Sequence, residues 1–206
     1  MNNSNITPNY TTRTNGIWNI LRATPSTYLV LTISYFLLKP SKLSLYLLIS
    51  YLALNASNTT LKQIAEYIYS ITVGKNNEMP IFGLGRRPDG AIDCGSFLNF
   101  SKKPPISYGM PSGHSQLTWA VVSYLLMCIY YNDNLNILED FTENEELNNI
   151  YTILITIILL VFGVMVSYSR VVIENCHTVQ QVIIGGIIGV IIGVLTHVFQ
   201  KKVLNI

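Results

Sequence analysis

The chain has 206 residues, 50% of them hydrophobic and only 12% charged, with a mean hydropathy of +0.37. This balance argues against a water-soluble globular domain and for one membrane-embedded domain filling the length. A net charge of +2 is too small to indicate a nucleic-acid partner.

Residues 1–16 read as a polar, Asn/Thr-rich tail, and the membrane domain is assigned to 17–206. The tail lacks the basic, apolar and small-residue order of a cleavable signal peptide, so insertion is expected to rely on retained spans. About 20 apolar residues cross the roughly 30 Å hydrocarbon core. Trp18 to Leu38 is the first predicted span, with Arg22 snorkelling its guanidinium to the interface. Leu43 to Leu61 is the second, ending near Lys62, with helical character continuing to Val73 as an interfacial extension. Ser115 to Tyr131, which encloses Cys128, then Leu147 to Ser169 and Thr178 to Gln200 complete five spans. Dividing the 43–73 stretch gives six as the alternative. The expected fold class is therefore all-α, a polytopic membrane helical bundle.

Between those spans, the loop from Asn132 to Glu146 collects Asp133, Glu139, Asp140, Glu143, Glu145 and Glu146 and reads as a solvated acidic loop. In the last span Gly185, Gly189 and Gly193 recur on one face, where another helix can approach closely. His197 near its end reads as an interfacial residue rather than a ligand. Cys94, Cys128 and Cys176 have neither metal-type spacing nor an even count, so they predict no zinc site and no disulfide framework.

Three short clusters carry chemistry: "GLGRRPDG" at 83–90, "YGMPSGHSQLTW" at 108–119 and "SYSRVVIENCHTVQQ" at 167–181. Counting spans puts all three on one membrane face. Arginine's planar fork holds phosphate oxygens in pairs and never deprotonates, which suits Arg87 and Arg170 to a phosphoryl group. The helix start at Ser112, Gly113 and His114 adds unpaired amides and a positive dipole end. One histidine can attack phosphorus while the other protonates the departing oxygen. Neither paired carboxylates nor metal-spaced histidines compete, so the expectation is phosphoryl transfer with no metal and no other cofactor. Singly, Arg86 and Arg87 are equally well interfacial anchors, His114 a helix cap and His177 a loop residue; their order and common face favour a site.

These clusters resemble the three-part signature of the type 2 phosphatidic acid phosphatase superfamily: Lys-x6-Arg-Pro, Pro-Ser-Gly-His, and Ser-Arg-x5-His-x3-Asp. "GMPSGHSQ" followed by Trp119, and "HTVQQ" with Gln181 in place of the last Asp, are most similar to the dolichyl diphosphate phosphatase branch. The resemblance covers roughly residues 43 to 195. It implies that His177 is the nucleophile, transiently phosphorylated, and His114 the general acid and then the base for water. Arg87, Arg170, Ser112 and the Gly113 amide would hold the equatorial oxygens, with Ser169 supporting the arginine and Gln181 accepting a hydrogen bond from the nucleophile's ring. Position 80, where the first motif has its lysine, is Pro80; Lys62 is the first candidate for that role and Lys75 the second. The third cluster has one residue more between Arg170 and His177 than the family pattern. Within a helix that residue would turn His177 by about 100°, whereas a loop takes it up locally.

The function implied is an integral membrane lipid phosphatase acting on a polyprenyl or dolichyl diphosphate, with phosphatidate-like lipids second, through a phosphohistidine. Its partners are then the lipid phosphate and the bilayer. A catalytically silent scaffold or lipid-binding protein of the same fold, and a lipid phosphotransferase, are the alternatives. Basic residues are slightly more numerous on the site face, which favours a cytoplasmic site. The resemblance implies instead a lumenal site in the endoplasmic reticulum, and Asn2, Asn5 and Asn9 each open a glycosylation sequon on that same face. Nothing in the sequence fixes an oligomeric state.

Overall fold

The computed structural model describes residues 16–72, 85, 87, 88, 91, 108–131 and 145–204, and every regular element among them is helical. The elements are α1 (Gly16–Arg22), α2 (Thr24–Leu38), α3 (Lys42–Thr72), α4 (Gly113–Tyr130), α5 (Glu145–Tyr168), a π-helical turn (Ser169–Ile173) and α6 (Val179–Leu204). Residues 132–144 of the acidic loop, the sequons, Lys75, Arg86 and Cys94 lie outside the described residues, while Glu145 and Glu146, expected in that loop, open α5.

Polarity in this bundle is inverted. The largest fully buried side chains include Arg170, His197, Gln116 and Gln181, while Ile153, Ile157, Ile158 and Val161 on α5 and Ile183, Ile187 and Ile191 on α6 point outward. Leu147–Ile173 and Val179–Leu204 are long and apolar enough to cross a membrane, yet only 11% and 28% of their most apolar windows are buried. An apolar surface with a polar interior is stable where the surrounding solvent is hydrocarbon. Helix α2 is apolar but shorter.

The glycine face predicted for the last span is the main seam. A Cβ on Gly189 would sit 2.2 Å from the Gln116 carbonyl oxygen, and one on Gly193 would sit 2.2 Å from that of Ala120. Only glycine lets α4 and α6 approach this closely, and polar links cross the same seam, from Ser115 Oγ to Val182 O at 2.8 Å and from Ser123 Oγ to Val190 O at 3.3 Å. Trp119 is wedged beside it between Gly163 and Gly186, its Nε1 donating to Ser167 Oγ at 3.0 Å.

Several expectations change. The stretch from Trp18 to Leu38 is not one helix but breaks at Ala23. Pro25, within the first turn of α2, has no N–H to continue a ladder, and the Thr24 hydroxyl bonds the Leu21 carbonyl at 2.5 Å to stabilise the restart. In contrast, Leu43 through Thr72 belongs to one helix, so no division falls there. Its start is held by the reciprocal pair Ser44 N–H to Ser41 Oγ (3.1 Å) and Ser41 N–H to Ser44 Oγ (2.9 Å). His197 is buried rather than interfacial, 2% exposed against the rings of Tyr124 and Tyr131. Cys176 is disulfide-bonded to a partner beyond the described residues, which the odd cysteine count did not foretell; Cys128 is free and buried in α4.

Candidate active site

One end of the bundle gathers the start of α4, the π-turn, the start of α6, the α1–α2 break and Lys62 of α3. Helix α4 begins at Gly113, with Ser112 in extended backbone as its N-cap. Its first helical hydrogen bond runs from Gln116 N–H to Ser112 O at 3.0 Å, so the amides of Gly113, His114 and Ser115 lie ahead of the ladder. Ser112 Oγ makes no capping bond and, though fully buried, has no hydrogen-bond partner among the described residues. A buried hydroxyl beside amides at a positive helix end suits an anion. The turn is fixed from three sides. Ser112 N–H donates to Gln181 O at 3.0 Å, and Gly185 abuts the Ser112 carbonyl. Asn58 packs against Gly113 and donates to Gln116 Oε1 at 2.7 Å.

His177 sits just ahead of α6. Gln181 and Thr178 form a reciprocal cap there: Gln181 N–H donates to Thr178 Oγ1 at 3.3 Å, and Thr178 N–H donates to Gln181 Oε1 at 3.2 Å. That backbone donor identifies Oε1 as the acceptor also facing His177 Nδ1, at 3.1 Å. The ring therefore carries its proton on Nδ1 and turns the Nε2 lone pair toward Arg87, whose Nη1 lies 3.5 Å away. Arg87 is anchored by donating to Cys176 O at 3.2 Å. Burial first, then the charges of Arg87 and Lys62, holds His177 well below the ordinary histidine value of 6.5, against the opposing pull of Gln181. The ring is neutral at physiological pH.

The π-turn resolves the extra residue in the third cluster. Glu174 N–H donates to Ser169 O at 2.9 Å, an i+5 bond that absorbs one residue without rotating the downstream chain by a full helical step. Beyond it Asn175 takes a positive φ of 47°, and the amides of Cys176 and His177 both reach the Arg170 carbonyl, at 3.0 and 3.3 Å. Arg170 itself is fully buried and paired with Glu174, Nη2 to Oε1 at 2.5 Å. Burial raises the Glu174 carboxyl, and the Arg170 and Arg22 guanidiniums pull against that. Ser169 Oγ donates to Val166 O at 2.7 Å and lies 3.4 Å from Arg170 Nε, so it stands under the arginine.

Lys62 reaches in from α3 to donate to Tyr108 O at 2.9 Å; burial, with Arg87 nearby, lowers it to about 8, so it stays mostly protonated near pH 7. The first cluster meets the second at Gly85, whose φ of +115° and carbonyl bond from Gly109 N–H (2.7 Å) set it under the Tyr108 ring. His114, 9% exposed, meets the backbone carbonyl of Arg22 through Nε2 at 3.0 Å, and Arg170 is the charge it feels most. His114, His177, Arg87, Arg170, Lys62, Ser112, Gly113, Ser169 and Gln181 thus lie on elements that meet at the same end of the bundle.

Residues 43–204 match the sequence model of the PAP2 superfamily. The chain belongs to that superfamily. It is similar to dolichyldiphosphatase 1 of Callithrix jacchus (33% identical), Homo sapiens (32%) and Mus musculus (30%), in each case over 98 residues that make up 48% of this chain. The match covers 39% of each relative's length. No solved structure matches the chain.

Three site residues of this PAP2 superfamily member escaped sequence reading. Glu174 carried no signal, because a lone acid in a basic cluster has no motif. Arg22 was read as a snorkelling side chain, and only the helix break brings its backbone carbonyl to His114. Asn58 lies in a polar run, "NASNTT", unusual inside an apolar helix; that run was the available clue.

Proposed function

We propose that this protein is a multi-pass membrane phosphatase that removes the terminal phosphate of a polyprenyl or dolichyl diphosphate, or of a related lipid phosphate, through a phosphohistidine. The observation that carries the reading is the state of His177, its Nδ1–H committed to Gln181 and its Nε2 lone pair facing Arg87. Nε2 attacks the terminal phosphorus, forming an N–P bond as the bond to the leaving oxygen breaks, and His114, which the negative charge of the bound phosphates brings to its protonated form, gives that oxygen its proton. A water, deprotonated by His114, then attacks phosphorus, releasing phosphate and restoring His177. Arg87, Arg170, Lys62, Ser112 Oγ and the Gly113 amide hold the equatorial oxygens while charge builds on them.

A lipid substrate is supported by an apolar groove of about 670 Å³ between α4, α5 and α6, lined by Trp119, Val164, Val171, Val182, Ile187 and Ile191 and continuous with the π-turn. Five spans, with the α1–α2 segment as the first, bring the three clusters to one face. The disulfide at Cys176 supports an oxidising, lumenal side for that face, as in the endoplasmic reticulum.

The test is phosphate release from a polyprenyl diphosphate by purified protein in detergent with EDTA present. Acid-labile, alkali-stable labelling from [β-32P]-substrate is expected in wild type and absent in His177→Ala. Turnover that survived His177→Ala would overturn the mechanism. Release of no phosphate by well-folded protein from any lipid phosphate would overturn the function.

A further inference from the structure

The polar run of α3, "NASNTT" at 55–60, has no part in the steps above. We infer that Asn58 is a positioning residue for the phosphoryl transfer: together with Gln116 it fixes the Pro-Ser-Gly-His turn where transition-state charge collects, acting through that turn rather than on the substrate. The inference rests on the lipid phosphatase reading of the site.

The hydrogen bonds around Asn58 run in one direction. Ser57 Oγ donates to Leu54 O at 2.7 Å, which leaves it accepting from Gln116 Nε2 at 3.1 Å. Gln116 Oε1 is therefore an acceptor, and its donor is Asn58 Nδ2 at 2.7 Å. Both amide side chains are thereby oriented by the network. Asn58 turns Oδ1 toward Gly113, where a Cβ would meet it at 2.9 Å, and its Nδ2 lies 3.5 Å from Pro111 O. Gln116 is fully buried, and its own backbone N–H closes the first turn of α4 on Ser112 O at 3.0 Å.

Polar side chains in a membrane helix either join helices or serve a site. Where the bonds end decides between the two. This network ends on Pro111 and Gly113, at the turn itself, and not on the helix bodies below it. The amides of Gly113, His114 and Ser115 lie ahead of the helical ladder, so the ladder does not hold them in place. Asn58 grips the turn from α3, while Gln181 O on α6 receives the Ser112 N–H. The Ser112 carbonyl is taken by Gln116 N–H and abutted by Gly185, which leaves the Ser112 hydroxyl and the Gly113 amide to face a phosphate. Such a cradle works by being fixed before charge appears, and a misplacement of about 1 Å forfeits about 10²-fold in rate.

The experiment measures kcat and KM on farnesyl diphosphate or, if wild type leaves that intact, on dioleoyl phosphatidate. It compares the full-length protein with Asn58→Leu, which keeps the side-chain shape without its hydrogen bonds, with Ser57→Ala, and with the exchanged pair Asn58→Gln and Gln116→Asn. Asn58→Leu is expected to lose about 10- to 100-fold in kcat with KM held within about twofold, the pattern of an interaction made in the transition state. Inhibition by orthovanadate, a five-coordinate phosphate mimic, is expected to weaken by the same factor. Ser57→Ala, mild enough to fold where Asn58→Leu fails, is expected to show the same split at about two- to fivefold. The exchanged pair, which restores the amide-to-amide bond, is expected to recover most of kcat. A merely structural Asn58 lowers the midpoint of thermal unfolding in detergent but leaves kcat per folded molecule and vanadate inhibition where wild type has them. That result, a rise in KM at unchanged kcat, or an exchanged pair no better than Asn58→Leu overturns the positioning role and leaves the phosphatase reading intact. Wild-type protein that releases phosphate from neither substrate overturns both.

Discussion

The two histidines are held in opposite ways. His177 is oriented by Gln181, one turn further along the same stretch, whereas His114 is held by the carbonyl of Arg22, 92 residues away. A partner one turn off comes with the local helix start and its cap. A partner across the fold is present only when α1 has docked on the π-turn. The geometry of His177, the proposed nucleophile, is thus built locally, and that of His114, the proposed acid, is built by packing.

The sharpest way to break this comparison is to remove each ring. His177→Ala is expected to abolish turnover and the labelled intermediate together. His114→Ala should lower kcat by about 10² to 10⁴, the usual worth of a positioned acid-base group, while labelled His177 still accumulates from a diphosphate. Single-turnover labelling separates the two outcomes.

Next in size is Glu174→Gln, which leaves Arg170 charged and buried without its partner. Breaking a buried pair costs about 3 to 5 kcal/mol, to be read as a lowered midpoint of thermal unfolding in detergent. Because the π-turn carries both the Arg170 support and the α1 contact, labelling of His177 and proton donation by His114 should fail together.

A third test acts on the pH profile. His177 is neutral to well below 6.5, so the acid limb of kcat/KM should not appear at the ordinary histidine value. Gln181→Glu places a carboxylate against the ring, favours the imidazolium and raises its pKa. The acid limb then moves to higher pH, by about 1 to 3 units for an opposite charge in contact. A profile that stays where wild type has it would mean that Gln181 does not face the titrating ring.

The smallest effect is expected from Thr24→Val, which removes the hydroxyl bond to the Leu21 carbonyl at the helix break. A net loss of about 1 kcal/mol loosens α1, so activity should fall several-fold with His177 labelling efficiency retained. If labelling fell in parallel, the two histidines would not be held independently.

Much of the site was legible from residue types because its groups have few physical substitutes. Phosphate oxygens call for guanidinium forks and free amides, so Arg87, Arg170 and the Pro-Ser-Gly-His turn stood out. The reciprocal cap of Thr178 and Gln181 came only with the structure, although a cap is a local device. The glycines at 185, 189 and 193 announced a close helix approach, and Ser112 at the cap of α4 with Gln116, Ala120 and Ser123 within it proved to be what approaches them. Lys62 was chosen ahead of Lys75 with no spacing to guide the choice; its long helix carries it to Tyr108.

Sequence by itself determined an all-helical, apolar-surfaced protein with a candidate phosphate-binding set of residues near helix ends, because periodicity, capping and charge chemistry act over one or two turns. Tertiary structure alone decided the π-turn that re-aims His177, the burial of Arg170 on Glu174, and the helix break that delivers Arg22 to His114. Each of those depends on which groups are desolvated together, and desolvation is a property of neighbours far apart along the chain.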